Sequence, residues 1–419
     1  MGHVTFAAIQ PATLPGEWLF PAIPERWLVV GAATLAVGAA YGGIATIGVL
    51  MAPLEAEFGR LKADISLAYT LLTIGAALGG LVAGGLADRY SARPLAMAGA
   101  AAMGLGTVCV GYQSSILAMQ LLYLAIGFFG FACLYAPVLT TVSAWFEKGH
   151  GLALGIVTAG GALGQAIVPP IFQELVIAYG WREACVILGC IYVAGLTPIM
   201  ALITRPPAAR PRTARASMGE EHWPVNPVIG IGLLGTAALF CCVLMGVPSV
   251  HLISFAREAG FTATAGTGLL TAAMIAGCIG RIATGIVIDR LGALRSYILV
   301  SAIQTVAVYF FPQAGSLWAL YLVAVVYGFG FGGVMTAMVC AVRNAAPKRH
   351  AGRAMAVVGV FAWAGMGAGG YQGGLCFDLT GDYTLAFTSA AGAGLANLAA
   401  LALLGLLIAR GRAKHFQAG

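Results

Sequence analysis

Long apolar runs alternate with short polar breaks along most of the chain. A run of about 20 apolar residues is long enough to cross the hydrocarbon core of a bilayer as a helix. On this measure the pattern predicts twelve membrane helices, at residues 27–52, 65–87, 94–112, 116–145, 151–178, 182–204, 228–255, 265–288, 294–312, 317–342, 352–377 and 384–409. The sequence therefore predicts an all-α membrane protein.

The longest polar break, from Arg205 to Asn226, separates the first six helices from the last six. We expect two pseudo-symmetric six-helix bundles, 27–204 and 228–409. They are flanked by a cytoplasmic N-terminal segment at 1–26, a cytoplasmic linker at 205–227 and a cytoplasmic tail at 410–419. The first residues show no short apolar region followed by a cleavage site, so no signal peptide is expected and the first apolar segment is a retained helix.

Composition supports the membrane class. Hydrophobic residues make up 60% of the chain and charged residues only 9%, whereas a soluble protein carries about a quarter charged residues. The nine cysteines all fall within apolar segments and none forms a CxxC pair. We expect them to pack as small hydrophobic residues, with no disulfide framework and no metal site.

The net charge of +7 is explained by where the cations lie. With the amino terminus inside, seventeen of the 22 Lys and Arg residues fall in cytoplasmic segments. The outer loops hold only Arg60, Lys62, Arg182 and Arg257. This asymmetry is the usual topology signal of membrane proteins. Both termini are therefore predicted to be cytoplasmic, and no nucleic-acid partner is expected.

The two halves carry the same polar turn after their second helix. Residues 84–93 read GGLADRYSAR, and residues 285–295 read GIVIDRLGALR. A GxxxDR turn at the same place in each half indicates an internal duplication. Its charged members are Asp88, Arg89 and Arg93 in the first copy and Asp289, Arg290 and Arg295 in the second. They are predicted to form a charge network that holds one gate state; the alternative is that they only set the topology.

Arg281 interrupts an otherwise apolar run, with no acidic residue between it and Asp289. Arg281 lies eight positions before Asp289, which is about 12 Å of helix and close to half the hydrocarbon thickness. A guanidinium at that depth costs about 3 kcal/mol, and such residues usually face a bundle interior or a water-filled cavity. Arg281 is therefore predicted to bind an anion at the midplane. The alternative is an arginine held by backbone carbonyls or by an acid on another helix.

These features together resemble the major facilitator superfamily, whose motif after helices two and eight is G-x-x-x-D-R-x-G-x-R; Ser91 replaces one glycine in the first copy. Within that family the chain is similar to the monocarboxylate transporter and oxalate:formate antiporter branch. The residues that carry this second resemblance are WFEK at 145–148, GLALG at 151–155, GGALG at 160–164, GWREA at 180–184, and Arg281 eight residues before Asp289. The resemblance spans all twelve helices.

The resemblance implies a role for Arg281, because in that branch an arginine at this position of helix eight pairs with the substrate carboxylate. The oxalate:formate antiporter adds a lysine on helix eleven to hold a dianion, whereas this chain has no Lys or Arg between Arg353 and Arg410. A monocarboxylate is therefore favoured. Many animal monocarboxylate carriers also have an Asp where this chain has Gly277, and a Lys in helix one, which here has no charge. A coupled proton would thus be carried by another group or by the substrate.

Other candidate residues come from the helices that surround the central cavity in this superfamily. A site for a small organic acid needs apolar walls and few polar groups. The predicted lining residues are Tyr41, Tyr135, Tyr327 and Trp363, with Cys278 on the same helix face as Arg281. Each of the aromatic residues could instead serve packing alone. His251, near the outer end of helix seven, is a candidate gate or proton-coupling group; the alternative is a satisfied interfacial histidine.

Other function classes fit less well. No HExxH, nucleophile elbow, Walker loop or inward carboxylate pair is present, and Glu174 and Asp378 lie near outer helix ends, too isolated for catalysis. The sequence predicts a monomeric, cofactor-free secondary transporter of lactate- or pyruvate-like monocarboxylates, coupled to protons by alternating access. An oxalate:formate-type exchanger and a drug:proton antiporter are the alternatives. Against the latter, Tyr123 stands where that branch has its helix-four arginine.

Overall fold

A computed structural model describes residues 24–146, 150–204, 223–346 and 350–417. These residues form twelve helices that are long and apolar enough to cross a membrane. Their bounds are α1 Glu25–Phe58, α2 Lys62–Arg89, α3 Ala92–Gly111, α4 Ile116–Trp145, α5 His150–Tyr179, α6 Trp181–Leu202, α7 Pro227–Glu258, α8 Ala263–Leu291, α9 Ala293–Gln313, α10 Leu317–Ala345, α11 Ala351–Thr380 and α12 Thr384–Gln417. The predicted all-α, twelve-span architecture is confirmed.

Several helices extend beyond the predicted apolar runs. The apolar pattern marks only the part of a helix that lies in hydrocarbon, whereas backbone hydrogen bonding continues into polar residues. Helix α1 accordingly continues to Phe58, past a break at Thr46, and α12 continues to Gln417. The predicted tail at 410–419 thus begins as helix. Wider π-helical turns occur at Ile126–Phe131 in α4 and at Tyr192–Leu196 in α6.

Each half is held together by the same pattern of helix pairs. Helix α1 packs on α5 in the first half as α7 packs on α11 in the second, and α2 packs on α4 as α8 packs on α10. Glycines bring the backbones close: a Cβ atom on Gly164 would lie 1.9 Å from the Gly38 carbonyl oxygen, and one on Gly328 would lie 1.8 Å from that of Ala273. Small residues permit this approach in membrane helices. The matching pairs agree with the duplication inferred from the two GxxxDR turns.

Short turns make successive helices antiparallel, so the bundle has two faces. We call the face that carries Glu25 and Gln417 the terminal face, and the face with the turns at 59–61, 112–115, 259–262 and 381–383 the distal face. The halves meet along two seams, α2 against α11 and α5 against α8.

The halves also touch at the distal end of α1. Its distal segment Ile47–Phe58 packs on α7, and a Cβ atom on Gly48 would lie 2.9 Å from the Val250 carbonyl oxygen. The terminal segment Glu25–Ala45 shares no comparable packing with α7. Along this helix pair the halves are therefore joined at the distal face and diverge toward the terminal face.

Candidate functional site

Four aromatic side chains from both halves meet near the middle of the bundle. Tyr41 of α1 stacks on Trp363 of α11 with ring centroids 6.3 Å apart, and Phe131 of α4 meets the same indole edge-on at 5.1 Å. Tyr135 completes the group, 5.7 Å from the Tyr41 ring and 5.6 Å from that of Phe131. We call Tyr41, Phe131, Tyr135 and Trp363 the aromatic cluster. Three of its members were predicted; Phe131 was not.

Arg281 crosses the seam between α8 and α5. Its Nη1 atom donates a hydrogen bond to the Thr158 carbonyl oxygen at 2.5 Å, while its buried Nε atom has no hydrogen-bond partner. No carboxylate lies within ion-pair distance of this guanidinium in the described part of the chain. The hydrogen bond to Thr158 partly matches one of the two alternatives predicted for Arg281, an arginine held by backbone carbonyls. A carbonyl does not neutralise the charge, so Arg281 keeps donors and a full positive charge for an anion.

The α5–α8 seam connects Arg281 to the aromatic cluster. A Cβ atom on Gly161 of α5 would lie 3.0 Å from the Tyr41 ring. Gly161 is three residues from Thr158, about one helical turn or 5 Å. Cys278, one turn before Arg281, lies on the same seam with its Sγ atom 4.0 Å from the Ala159 carbonyl oxygen. The cation, the thiol and the aromatic wall therefore belong to one site at the boundary of the halves.

Tyr327 lies elsewhere in the second half. Its side chain is fully buried, and its hydroxyl donates to the Met245 carbonyl oxygen at 3.3 Å. Its ring packs against Phe311 and Phe331, with centroids 6.0 Å from each. No described ring contact joins it to the aromatic cluster, so the structure does not bring Tyr327 to the other predicted lining residues.

His251 is fully buried inside the second half, with both ring nitrogens engaged. Its Nε2 atom lies 2.7 Å from the Gly370 carbonyl oxygen, and its Nδ1 atom lies 3.3 Å from the Tyr383 hydroxyl. A carbonyl can only accept, so Nε2 carries the hydrogen, and a neutral ring satisfies both contacts when Nδ1 accepts from Tyr383. These contacts favour the alternative of a satisfied histidine that ties α7 to α11.

The charged residues of the two GxxxDR turns lie at the terminal face. The side chains of Arg89, Arg93, Asp289, Arg290 and Arg295 are exposed, and none of them forms an ion pair within the described ranges. The side chain of Asp88 lies outside the described residues. The predicted gate network is therefore not formed by these five side chains in this conformation, which fits a terminal face where the halves diverge.

A charged group at the distal face was not predicted from the sequence. Lys62, assigned to an outer loop, begins α2 and is buried, with its Nζ atom 2.6 Å from Glu258 Oε1. Asp378, judged isolated, accepts hydrogen bonds from the backbone N–H groups of Lys62 and Ala63. The partners lie about 200 to 300 residues apart, so no local pattern shows the contact; the one available signal is a cluster of charges near predicted helix ends.

Twelve membrane helices in two matching halves, with a cation at their boundary that has no carboxylate partner among the described residues, define the architecture of a secondary transporter. The family comparison agrees: the model of the Major Facilitator Superfamily matches residues 33–315 and 247–418. The chain belongs to the Major Facilitator Superfamily. It is a multi-pass membrane protein, and the family and its named relatives are transporters rather than enzymes.

Named relatives support the monocarboxylate branch. The chain is 30% identical over 277 residues to Monocarboxylate transporter 11 of Mus musculus, an alignment that covers 63% of this chain and 59% of the mouse protein. The chain thus spans about three fifths of that relative. It is 25% identical over 379 residues to Monocarboxylate transporter 13 of Rattus norvegicus, covering 87% of this chain and 85% of the rat protein.

Among solved structures, the chain resembles a bacterial homolog to the human lysosomal transporter Spinster in an inward-facing and unoccupied conformation. The TM-score is 0.69 at 17% identity, over 93% of this chain and 96% of that one. This likeness establishes the fold.

Proposed function

We propose that this protein is a secondary transporter of small monocarboxylates of the lactate or pyruvate type, coupled to protons and working by alternating access. The observation that carries the proposal is Arg281: a half-buried guanidinium at the boundary of the halves, with an unpartnered Nε atom and no carboxylate partner among the described residues. A planar guanidinium offers paired donors that match a carboxylate. The names of the relatives point to the same class of cargo.

The site walls suit a small acid with one charge. Tyr41 and Trp363 supply apolar ring faces from opposite halves, and Tyr135 adds a half-buried phenol. One fixed cation is balanced by one carboxylate, whereas a second carboxylate would need another positive charge. We therefore assign the carboxylate to Arg281 and the organic part of the cargo to the aromatic cluster.

The contact between Arg281 and Thr158 suggests how binding and movement are linked. Thr158 belongs to the first half and Arg281 to the second, and their hydrogen bond closes the seam at this level. A carboxylate is a stronger acceptor for a guanidinium than a neutral carbonyl. A bound monocarboxylate would compete with the Thr158 carbonyl and loosen this part of the seam, so the halves could rock about the site.

We assign the terminal face to the cytoplasm. Seventeen of the 22 Lys and Arg residues lie in segments on that side by the sequence topology, and cytoplasmic enrichment of cations is the general rule. In this orientation the described conformation opens toward the cytoplasm and is closed toward the outside.

The test is uptake of labelled lactate and pyruvate into vesicles reconstituted with the purified protein, with and without an imposed pH gradient. We expect uptake that rises when the outside is more acidic, because the cargo moves with a proton. Arg281 cannot release a proton, and the fixed contacts of His251 predict that His251→Gln keeps the wild-type pH profile. Uptake that does not depend on the pH gradient but requires an anion inside the vesicle would instead establish an exchanger. A complete lack of monocarboxylate uptake would refute the proposal.

A further inference from the structure

Asp378, near the distal end of α11, caps a helix of the other half. Its Oδ1 atom accepts from the Lys62 backbone N–H at 3.0 Å, and its Oδ2 atom accepts from that of Ala63 at 2.7 Å. These N–H groups belong to the first turn of α2, where helix geometry leaves them without an internal partner. Leu61, the residue before α2, provides no side-chain cap. The negative carboxylate also complements the positive end of the α2 dipole.

The Lys62 side chain makes a second contact across the halves. Its Nζ atom lies 2.6 Å from Glu258 Oε1 at the end of α7, and 3.7 Å from Glu55 Oε2 within the first half. The same ammonium lies 3.4 Å from the centroid of the Phe377 ring in α11. Only 2% of the lysine side chain is exposed, compared with 49% for Glu258. A cation so enclosed by the opposite half loses these partners if the halves separate here.

The backbones of α2 and α11 also touch at this point. A Cβ atom on Gly374 would lie 2.7 Å from the Ala63 nitrogen and from the carbonyl carbon and oxygen of Lys62. Glycine is therefore needed for the carboxylate of Asp378 to reach the start of α2. We define the distal latch as Lys62, Ala63, Glu258, Gly374 and Asp378.

We propose that the distal latch holds the two halves together at the distal face, and that its release is a required step in turning the cavity toward that side. Every one of its bonds named above, except the contact with Glu55, joins one half to the other. Separation of α2 from α11 therefore leaves two helix-end N–H groups uncapped and removes Glu258 and Phe377 from the lysine. During the transport cycle Asp378 positions the two halves relative to each other and does not touch the cargo.

Among the described residues, the latch is present at the α2–α11 seam and not at the α5–α8 seam. The repeat offset that relates Asp88 to Asp289 is 201 residues, and it relates Asp378 to Ile177 of α5. Ile177 carries no charge and its side chain is largely exposed. Within the described ranges, the pseudo-symmetric partner of the α2–α11 seam therefore has no equivalent carboxylate cap. The distal face is held closed by a device that the internal duplication did not copy.

The experiment measures the separation of the halves at the distal face without any cargo. Spin labels are placed at Tyr112→Cys in the first half and Trp318→Cys in the second, both exposed near distal helix ends, in a background whose native cysteines are replaced by alanine. Pulsed dipolar spectroscopy then gives the ratio of long to short distances. Asp378→Asn is expected to raise this ratio about tenfold or more. A hydrogen bond to a charged group stabilises the closed state by at least that equilibrium factor. Lys62→Met should change it in the same direction.

Gly374→Ala tests the latch by a steric route that changes no charge, and is expected to raise the ratio as well. It also decides the matter if Asp378→Asn fails to fold. There are two matched controls. Asp382→Asn changes a carboxylate that accepts from the Thr384 backbone N–H within its own half. Gly359→Ala changes a glycine on the same helix as Gly374, at a position where a Cβ atom would meet nothing within 4 Å. Neither should change the ratio.

Unchanged distances in both Asp378→Asn and Gly374→Ala would overturn the latch, as would an equal change in Asp382→Asn. The inference rests on the alternating access proposed above, but it does not depend on the cargo. Failure to transport monocarboxylates therefore leaves this measurement intact, and loss of the latch leaves the cargo assignment intact.

Discussion

Arg281→Ala is expected to lower the uptake of a labelled monocarboxylate by about 100-fold or more. The variant removes the one cation at the boundary of the halves for which the described residues supply no carboxylate. Charge-assisted hydrogen bonds contribute about 1.5–3 kcal/mol each, and a carboxylate at this site would lose a bidentate pair. Initial uptake rates in reconstituted vesicles, normalised to the amount of folded protein, measure the effect.

Two further variants make this result specific. Arg281→Lys keeps the charge but loses the planar pair of donors, so we expect it to recover only a small part of the uptake. Arg60→Ala removes an exposed cation near the distal face that has no described partner, and should transport as the wild type does. Wild-type uptake by Arg281→Ala would end the assignment of this residue to the cargo.

A dicarboxylate is expected to be carried about 100-fold less well than a monocarboxylate of the same length. One guanidinium balances one carboxylate, and the chain has no Lys or Arg between Arg353 and Arg410 on α11 and α12 to balance another. A buried charge left without a partner costs about 3–5 kcal/mol. Propionate and malonate form a matched pair with three carbons each. Competition of each acid against labelled lactate gives the ratio, and equal competition would contradict the single-cation site.

Much of the architecture could be predicted because it depends on local composition. A helix that lies in hydrocarbon must be apolar for about 20 residues, so all twelve helices were visible as runs. Arg281 was visible for the same reason, as a charge inside such a run. The duplication was visible in the two GxxxDR turns, and the structure shows matching helix pairs in the two halves.

The contacts between distant helices could not be predicted in the same way. Lys62 and Asp378 are separated by 316 positions, and each alone has the character of an ordinary polar residue near a helix end. The Thr158 carbonyl that holds Arg281 is a backbone group, which no side-chain pattern reveals. Tyr41 and Tyr327 are both aromatic residues of membrane helices, yet only Tyr41 joins the cluster at the boundary of the halves. Which face of each helix meets the cavity depends on packing between segments far apart in sequence.

The central claim is that a monocarboxylate occupies the seam at Arg281, and Cys278 reports directly on that position. Its thiol is half-buried, one helical turn from Arg281 and 4.0 Å from the Ala159 carbonyl oxygen across the seam. The measurement is the rate at which a small alkylating reagent modifies Cys278 when it is the sole cysteine, with and without saturating lactate. We predict that lactate slows the reaction severalfold, and that Arg281→Ala abolishes this protection. An alkylation rate that lactate leaves unchanged, in protein that transports lactate, would contradict the account.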